Sequence, residues 1–345
     1  MTKWRDTTKN EPSKIRIVQP GEIRTMRITK QFFLVVMIFF IVLLFSTEAR
    51  AEKRIGILLW NDQPRYVQNK DGVIEYLKQQ GFDEPNVKFT IESADGNKSR
   101  AVELAHKFVA AKMDMVITIG TTATVIAANE IKDIPLVFVM VWDPVGSKIA
   151  MDWKSSGNNT TGASSKTSTY QLLTALKDVA AVKRVAVLYT QGERNSELQV
   201  KEFEAEQSNF KISIIRVQLN NKEMVQPVLS DVVTKVDAVC LTGSSVVGDS
   251  LPIIVDIATK AKVLSASQSE DHVERGALLG ITVDPRAVGR LAGKKAVQIL
   301  KGAKPSSIPI ETLKKMDIFI NMKTVKAGQF RISPSFMKKA TKIIE

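Results

Sequence analysis

The sequence predicts an α/β protein with two similar Rossmann-like lobes, each built on a parallel sheet, and a ligand cleft between the lobes. Three observations support this fold class. Short apolar runs alternate with segments of helical spacing, one set of blocks recurs later in the chain in the same order, and a stretch rich in Gly, Ser, Thr and Asn separates the two sets.

The first set of elements shows the alternation clearly. Its apolar run KRIGILLW predicts a buried strand, and the spacing of Val73, Ile74 and Leu77 predicts a helix that stops at Gly81. The same reasoning predicts strands over 53–60, 87–94, 115–120 and 135–142, and helices over 65–80, 98–112 and 121–131. Because strands alternate with helices, we expect a parallel sheet with helices on both faces.

The second set repeats this order. The block KRVAVLYT at 183–190 matches KRIGILLW at an offset of 130 residues, and VDAVCLTGSSVV matches MDMVITIGTTAT at an offset of 123. The run VLSASQ matches PLVFVM at an offset of 128. Any two strand–helix units look alike, but the shared order and the shared Gly-Thr and Gly-Ser turns favour two similar lobes.

The divisions of the chain follow from these blocks. We expect a leader over 1–51, the first lobe over 52–145, the second lobe with its crossover over 146–265, and hinge crossings with a C-terminal strand and helices over 266–345. The polar segment 143–170 suits a crossover and a cleft wall. Ligands of α/β proteins bind at the carboxyl ends of the strands, which places the expected site between the lobes.

Composition and charge exclude several classes of protein. Of 345 residues, 25% are charged and the mean hydropathy is near zero, which excludes a polytopic membrane protein. One cysteine and two histidines exclude a disulfide scaffold and a Cys-rich or multi-His metal centre. The net charge of +13 is spread without an Arg-rich block, so we expect a solvated basic surface and no nucleic-acid partner.

The N-terminus has the pattern of a secretory signal peptide. Fourteen apolar residues at 32–45 follow basic residues and precede Ala49-Arg50-Ala51, a small-x-small cleavage site. This run is shorter than the roughly 20 residues that a spanning helix needs. We therefore expect export to the periplasm and a mature chain that starts at Glu52. Met26 is an alternative start, and an uncleaved signal anchor is the alternative to cleavage.

Two strand-to-helix turns carry the sharpest signal for ligand binding. Gly120-Thr121-Thr122 ends one strand and opens a helix, and Gly243-Ser244-Ser245 is its counterpart in the second lobe. Backbone N–H groups at a helix N-terminus, together with hydroxyls, suit an anion such as a carboxylate. Capping alone would explain either turn, but two such turns that face one cleft favour a ligand.

A third turn follows the strand at 183–190. Asn195 and Ser196 there either donate to a ligand or cap the next helix. The neighbouring Glu193 and Arg194 are expected to be solvated.

Two further candidates lie where strands of the first lobe end. Trp60 and Asn61 close the first strand, where the indole either stacks on a planar ligand or packs beneath a loop. Asp143 lies where the chain leaves the first lobe, and it either accepts from a ligand ammonium or caps the turn.

The sequence carries no recognisable catalytic set. It lacks a G-x-S-x-G elbow, a Walker A loop and a G-x-G-x-x-G fingerprint. Its histidines, His106 and His272, do not follow a strand and are interpreted as structural. Cys240, in the apolar run VDAVCL, is predicted to be a small buried side chain. We therefore predict a binding protein without enzymatic activity and without a cofactor.

Longer blocks give the sequence a family resemblance over nearly all of 53–345. It resembles the ABC-transporter substrate-binding family, whose described members include binders of tryptophan and other aromatic amino acids. The most specific blocks are ERGALLGITVDPRAVGRLAGKKAVQILKGAKPSSIPIE and INMKTVKAGQFRISPSFMKKATKII. The resemblance implies a type I periplasmic-binding-protein-like fold, with two lobes joined by three crossings, and capture of a solute for an inner-membrane permease. The cleft residues that it implies are Trp60, Thr121, Thr122, Asp143, Asn195, Ser196 and the turn at 242–245.

The chain departs from the family pattern in two places. Where the family commonly has Pro-Thr-Asp-Asn, this chain has Thr242-Gly243-Ser244-Ser245, and after Gly280 it has Ile281-Thr282-Val283-Asp284 in place of an acidic residue and a tyrosine. A neutral pair of hydroxyls holds a buried ammonium poorly. The expected ligand is therefore a carboxylate or a neutral polar solute, unless Asp143 or Asp284 points into the cleft.

Together these features predict a periplasmic, monomeric solute-binding subunit of an ABC importer that captures a small carboxylate-bearing or amino-acid-like ligand by lobe closure. Its expected partners are that ligand and an inner-membrane ABC permease. A sensor module that docks on a membrane receptor is one alternative, and a periplasmic α/β enzyme is another. The candidate ligand-binding residues are Trp60, Asn61, Thr121, Thr122, Asp143, Asn195, Ser196, Ser244, Ser245 and Asp284.

Overall fold

The computed structural model describes Met37 and residues 52–345, and residues 52–345 belong to one compact unit. The strands are β1 (Lys53–Leu59), β2 (Val87–Ser93), β3 (Met115–Ile119), β4 (Leu136–Val141), β5 (Thr160–Ser164), β6 (Arg184–Tyr189), β7 (Ser213–Gln218), β8 (Ala238–Leu241), β9 (Leu264–Ser267), β10 (Leu279–Thr282), β11 (Glu311–Thr312), β12 (Asp317–Asn321) and β13 (Lys342–Ile344). The helices are α1 (Pro64–Gln79), α2 (Lys98–Ala110), α3 (Thr121–Glu130), α4 (Thr169–Val179), α5 (Arg194–Ala205), α6 (Gln207–Phe210), α7 (Val225–Val232), α8 (Ser245–Asp249), α9 (Leu251–Lys260), α10 (Glu270–Glu274), α11 (Pro285–Leu300), α12 (Met322–Ala327) and α13 (Pro334–Met337).

The first lobe is built on a six-stranded parallel sheet in the order β11-β5-β4-β3-β1-β2. Its central strands are buried along their whole length, which explains why they read as continuous apolar runs. Helices cover the sheet because each has one apolar face. In α2, for example, Leu104, Ala105 and Phe108 are buried.

The second lobe is built on a seven-stranded sheet in the order β13-β12-β10-β9-β8-β6-β7. All its pairs are parallel except β10 with β12. The chain returns from the first lobe at the end of β10, because Asp317, the first residue of β12, pairs with Thr282, the last residue of β10. A strand that starts where its neighbour ends must run antiparallel to it. The predicted α/β class with two similar lobes is confirmed, and this one pair differs from the expected all-parallel sheet.

The chain passes between the two sheets three times. The crossings are 165–168 between β5 and α4, 283–284 between β10 and α11, and 313–316 between β11 and β12. The boundary expected at 145/146 differs from this arrangement, because β5 pairs with β4 and therefore belongs to the first sheet. The C-terminal segment after 316 adds β12 and β13 to the second sheet.

The stretch 266–345 was expected to contain hinge crossings and a C-terminal strand and helices that complete the lobes. Helix α11, which lies within it, belongs to the first lobe. It packs closely on α1. A methyl group at Gly72 would lie 2.1 Å from the Arg286 carbonyl oxygen, and one at Gly289 would lie 2.1 Å from the Asn69 carbonyl oxygen. Two helix backbones can approach this closely only where glycine removes the side chain. The contact holds α1, which faces the second lobe, against the helix that follows the second crossing.

The leader predicted over 1–51 lies outside the described residues, Met37 excepted. Among the helices that the structure does describe, none combines the length and the apolar character needed to cross a membrane.

Candidate functional site

The carboxyl ends of both sheets face a cleft between the lobes. Its inner part is a space of about 530 Å³, open solvent included, and lies beside two of the three crossings. Both lobes contribute to its lining, which consists of Arg65, Asn69, Met140, Trp142, Ser165, Asn195, Gln199, Gly243, Gln268, Ser269, Glu270, Val283, Pro285 and Val288. The site is therefore where the topology of an α/β protein predicts it.

The outer part of the cleft is wider and more open. It is a space of about 1230 Å³, open solvent included. Residues of both lobes line it, namely Trp60, Asn61, Asp62, Gln63, Asp95, Gly96, Lys98, Thr190, Gln191, Glu193, Asn220, Ser245, Val246 and Asp249. Three sequence-predicted residues, Trp60, Asn61 and Ser245, line this part, and a fourth, Asn195, lines the inner part.

Trp60 bridges the lobes. Its backbone N–H continues the sheet by donating to the Ile119 carbonyl at 3.1 Å, which fixes the residue at the end of β1. Its indole Nε1 donates to the Ser245 hydroxyl of the second lobe at 2.8 Å. Asn61 Nδ2 lies 3.5 Å from the same hydroxyl, and Gln63 Nε2 donates to the Ser245 carbonyl at 3.1 Å. These contacts require both lobes, so they exist only when the cleft is closed.

Further hydrogen bonds cross between the lobes. Trp142 Nε1 donates to Glu202 Oε1 at 3.1 Å, and Lys98 Nζ donates to the Gly192 carbonyl at 3.1 Å. The described conformation is consequently a closed one.

The turn at 120–122 lies at the start of α3. Gly120 adopts φ of 102°, and a methyl group there would lie 2.6 Å from Tyr66 Cε1, so both conformation and space require glycine. Thr121 Oγ1 accepts from the Trp142 backbone N–H at 3.2 Å. Thr122 is 8% exposed, and within residues 52–345 it lines neither part of the cleft.

Several predicted residues of the second lobe serve its own turns. Asn195 Nδ2 donates to the Gly243 carbonyl at 2.9 Å, which ties the start of α5 to the turn after β8. The Ser196 hydroxyl is fully buried and donates within its own turn, to the carbonyls of Thr190 and Glu193. Ser244 is also fully buried, and its hydroxyl caps α8 by accepting from the Val247 N–H at 3.2 Å.

The two aspartates that could have met a ligand ammonium are engaged elsewhere. Asp143 accepts from the Gly146 N–H at 2.8 Å and pairs with Lys166 at 3.3 Å. Asp284 is exposed and caps α11, accepting from the N–H groups of Arg286 and Ala287. Helix capping accounts for Asp284, whereas Asp143 stabilises the turn that it begins and pairs with Lys166.

Glu193 is a buried acidic residue of the cleft, although the sequence predicted that it would be solvated. It is 8% exposed, lines the outer part, and accepts at Oε2 from the Ser245 N–H at 2.9 Å. Burial raises the pKa of this carboxyl, although the bond from Ser245 opposes the shift. Glu193 belongs to the same turn as Asn195, after β6. Its position after a strand could therefore have identified it as a candidate. The acidic group absent from 242–245 is thus supplied by a neighbouring turn.

Arg65 is the second residue that sequence reasoning missed. It lies in the first turn of α1 and is 2% exposed, and its Nη1 donates to Asp271 Oδ2 of the second lobe at 3.0 Å. Nη1 also lies 3.2 Å from His272 Nε2. Burial alone would raise the pKa of Asp271, but the Arg65 charge holds it below its usual value. An arginine in the first turn of a helix is normally solvated. The neighbouring sequence therefore gives no sign that Arg65 is buried between the lobes.

Of the other titratable groups flagged by the sequence, His106 is exposed and lies beside Glu130, whereas His272 and Cys240 are buried. His272 is fully buried, and burial lowers its pKa to about 4, so the imidazole is neutral near pH 7. Its Nδ1 lies 2.8 Å from the Ser267 hydroxyl. Cys240 is buried in β8 as predicted, and burial raises the pKa of its thiol. Over residues 52–345, His, Cys, Asp and Glu form no group of three or more that could hold a metal ion.

Comparison with solved structures supports this arrangement. The chain is similar to an ABC domain from Streptococcus pneumonia in complex with L-Trp, with a TM-score of 0.82, 26% identity, and coverage of 85% of this chain and 100% of that one. It is also similar to the ligand-free, open structure of a substrate-binding protein with adhesive properties from Clostridium difficile, with a TM-score of 0.67, 27% identity, and coverage of 85% and 99%.

Sequence comparison also finds similarity to substrate-binding proteins. A curated relative, the "Tyrosine-binding protein" of Clostridioides difficile (strain R20291), is 29% identical over 286 residues, which cover 82% of each chain. The model of the family described as "ABC transporter substrate binding protein" matches residues 54–344. With a two-lobed fold, a closed cleft between the lobes and this match, the chain belongs to the ABC transporter substrate-binding protein family.

Proposed function

We propose that this protein is the extracytoplasmic solute-binding subunit of an ABC importer and that it captures an L-amino acid with an aromatic side chain by lobe closure. The observation that carries the proposal is the buried carboxyl group of Glu193 in the cleft. Among the proteins similar to this chain, one is named for tyrosine binding and another is in complex with L-Trp.

Glu193 supports a ligand that carries an ammonium group. Ser245 donates to Glu193 through its backbone N–H and also interacts through its side chain, and the carboxylate retains capacity to accept from a ligand. Arg65 and Lys98 lower the pKa of Glu193 only against the larger effect of burial. A ligand ammonium in the cleft would add a charge that favours the ionised carboxylate. The expectation of a ligand without an ammonium assumed that no acidic group faced the cleft, and Glu193 faces it.

The aromatic residues of the cleft support an aromatic side chain on the ligand. Trp60 lines the outer part of the cleft and Trp142 lines the inner part. Each donates a hydrogen bond to a residue of the second lobe, Trp60 to Ser245 and Trp142 to Glu202. Indole rings offer large rigid apolar faces while their N–H groups remain hydrogen-bonded.

The similarity of this chain to one ligand-bound and one ligand-free structure supports capture of the ligand by closure of the lobes. Identity to the L-Trp complex and to the open, ligand-free structure is nearly equal at 26% and 27%, yet the TM-score is 0.82 for the first and 0.67 for the second. The contacts of Trp60 and Gln63 with Ser245 are the contacts that closure would add. A ligand that touches both lobes favours the closed form because only there does it make all its contacts.

Calorimetry with the purified protein tests the ligand class. The panel contains the twenty L-amino acids together with the 2-keto and 2-hydroxy acid analogues of tyrosine and tryptophan. We expect L-tyrosine or L-tryptophan to bind with a Kd of about 1 μM or tighter, and the deaminated analogues at least about 10-fold more weakly. Tight binding of the analogues and no binding of the amino acids would contradict the proposal.

Location and delivery belong to the same proposal. We expect the protein to act as a periplasmic monomer, with a mature N-terminus at Glu52, and to deliver its ligand to an inner-membrane permease. Intact-mass analysis of protein released from the periplasm measures the N-terminus directly. Protein that still carries residues 27–51 would instead indicate a membrane anchor.

A further inference from the structure

The Arg65 guanidinium has two edges with different surroundings. Its Nη1 donates to Asp271 across the lobe boundary at 3.0 Å, and the Tyr66 ring lies beneath the group, 5.0 Å from Cζ to the ring centroid. The Tyr66 side chain also interacts with the guanidinium through its hydroxyl. Nε and Nη2 are buried, and neither has a hydrogen-bond partner of good geometry among residues 52–345. Asn69, one helical turn later, donates at Nδ2 to the Arg65 carbonyl at 2.8 Å, which leaves its own buried Oδ1 without a partner in the same set of residues.

Two unpartnered guanidinium donors beside a cavity are unusual. Buried donors are almost always satisfied, because a donor shielded from both water and acceptors loses its hydration without compensation. Arg65 and Asn69 both line the inner part of the cleft. The Nε–Nη2 edge is also the pair of N–H groups that matches the two oxygens of a carboxylate.

We infer that the Nε–Nη2 edge of Arg65 binds the α-carboxylate of the ligand. This inference rests on the proposed amino-acid ligand and names the partner of its acidic group. Glu193, the proposed partner of the ammonium, is near enough to Arg65 that the positive charge lowers its pKa against the larger effect of burial. Arg65 lines the inner part of the cleft and Glu193 the outer part, so the α-carbon of the ligand would lie between them, with its carboxylate towards Arg65 and its ammonium towards Glu193.

The same guanidinium links ligand binding to closure. With Nη1 held by Asp271 of the second lobe, the carboxylate-binding edge has a fixed direction only when the lobes are closed. A carboxylate bound at Nε and Nη2 would in turn immobilise the side chain that reaches Asp271. Arg65 thus favours the closed form most when a ligand carboxylate is bound to it.

The helix N-terminus at 120–122, the carboxylate site expected from the sequence, is less suited to this task. Among the described residues, neither Thr121 nor Thr122 lines either part of the cleft. Arg65 has free donors and lines the cleft.

The experiment compares two ligands with and without a carboxylate on three proteins. Calorimetry measures binding of L-tyrosine and of tyramine, which lacks the carboxylate, to the unaltered protein, to Arg65→Gln and to the charge-matched control Arg216→Gln. Arg216 is exposed and pairs with Glu204 away from the cleft. We expect Arg65→Gln to weaken L-tyrosine binding by about 100-fold and tyramine binding by less than about 3-fold, with Arg216→Gln unchanged for both.

A second variant protects the test against misfolding. Arg65→Gln leaves the Asp271 carboxylate buried without its cation, so the double variant Arg65→Gln/Asp271→Asn is measured alongside it. Equal L-tyrosine affinity in the unaltered protein and in either Arg65 variant would overturn the assignment of Arg65 and leave the proposed ligand standing. Failure of the unaltered protein to bind any aromatic amino acid would overturn the proposed function and the Arg65 assignment with it.

Discussion

The indole Nε1 of Trp60 lies 2.8 Å from the hydroxyl oxygen of Ser245, and this hydrogen bond joins the two lobes at the mouth of the cleft. The residues are 185 positions apart, and each lies at the carboxyl end of a strand, Trp60 after β1 and Ser245 after β8. A contact of this kind forms on closure and breaks on opening, so it contributes to the closed form without touching the ligand.

A double-mutant cycle on this pair measures that contribution. Trp60→Phe retains a large ring but removes the N–H, and Ser245→Ala removes the acceptor. Each change should weaken ligand binding by about 0.5–1.5 kcal/mol, and the double variant should be no weaker than the poorer single variant, because both remove one hydrogen bond. Calorimetry with L-tyrosine gives the four affinities. Fully additive losses would mean that the two side chains act separately.

Glu193→Gln tests the ammonium partner. The amide keeps the bond from the Ser245 N–H but carries no charge. We expect L-tyrosine affinity to fall by at least about 10-fold, while affinity for its 2-keto acid analogue is unchanged or higher. Equal losses for both ligands would show that Glu193 acts on the shape of the cleft and not on the ammonium.

The pH dependence of binding gives an independent measure of Glu193. Burial raises its pKa in the free protein, and only the ionised form attracts an ammonium. Affinity for L-tyrosine should therefore rise with pH as the carboxyl ionises, and Glu193→Gln should flatten this rise. A rise of the same size in the variant would assign it to another group.

Thr122→Val discriminates between the two carboxylate sites. The substitution keeps the shape of the side chain and removes its hydroxyl. Since Thr122 lines neither part of the cleft within the described chain, we expect L-tyrosine affinity to change by less than about 3-fold. A loss of about 1.5–3 kcal/mol would instead indicate a hydroxyl bound to a charged ligand oxygen, and it would return the carboxylate to the N-terminus of α3.

His272 predicts how stability depends on pH. Its pKa is lowered by burial from 6.5 to about 4, so below about pH 6.5 the unfolded chain binds a proton that the folded protein does not. The free energy of unfolding should fall as the pH decreases from 6.5 towards 4, by about 3 kcal/mol at most. Urea denaturation of the unaltered protein and of His272→Asn across this range isolates the contribution. An identical pH dependence in both would contradict it.

The sequence predicts the elements well and the site only in part. Strands such as β1 and β3 are buried on both faces, so their apolar runs mark them directly. The cleft residues Trp60, Asn61, Asn195 and Ser245 could be predicted because they follow such strands.

The other predicted site residues show why position after a strand is not sufficient. A strand-end residue also precedes a helix, and Ser244 and Asp284 cap the helices that follow them. Arg65 shows the opposite difficulty. Its burial depends on Asp271, which is 206 positions away, and no local pattern encodes a contact across two lobes.

Small-angle X-ray scattering with and without saturating L-tyrosine tests the central claim most directly, because closure around a ligand must make the molecule more compact. If the lobes close around the ligand, the radius of gyration falls on addition of L-tyrosine. The radius of gyration of Glu193→Gln should fall less at the same ligand concentration. Tight binding of L-tyrosine, established by calorimetry on the same sample, with an unchanged radius of gyration would contradict this claim.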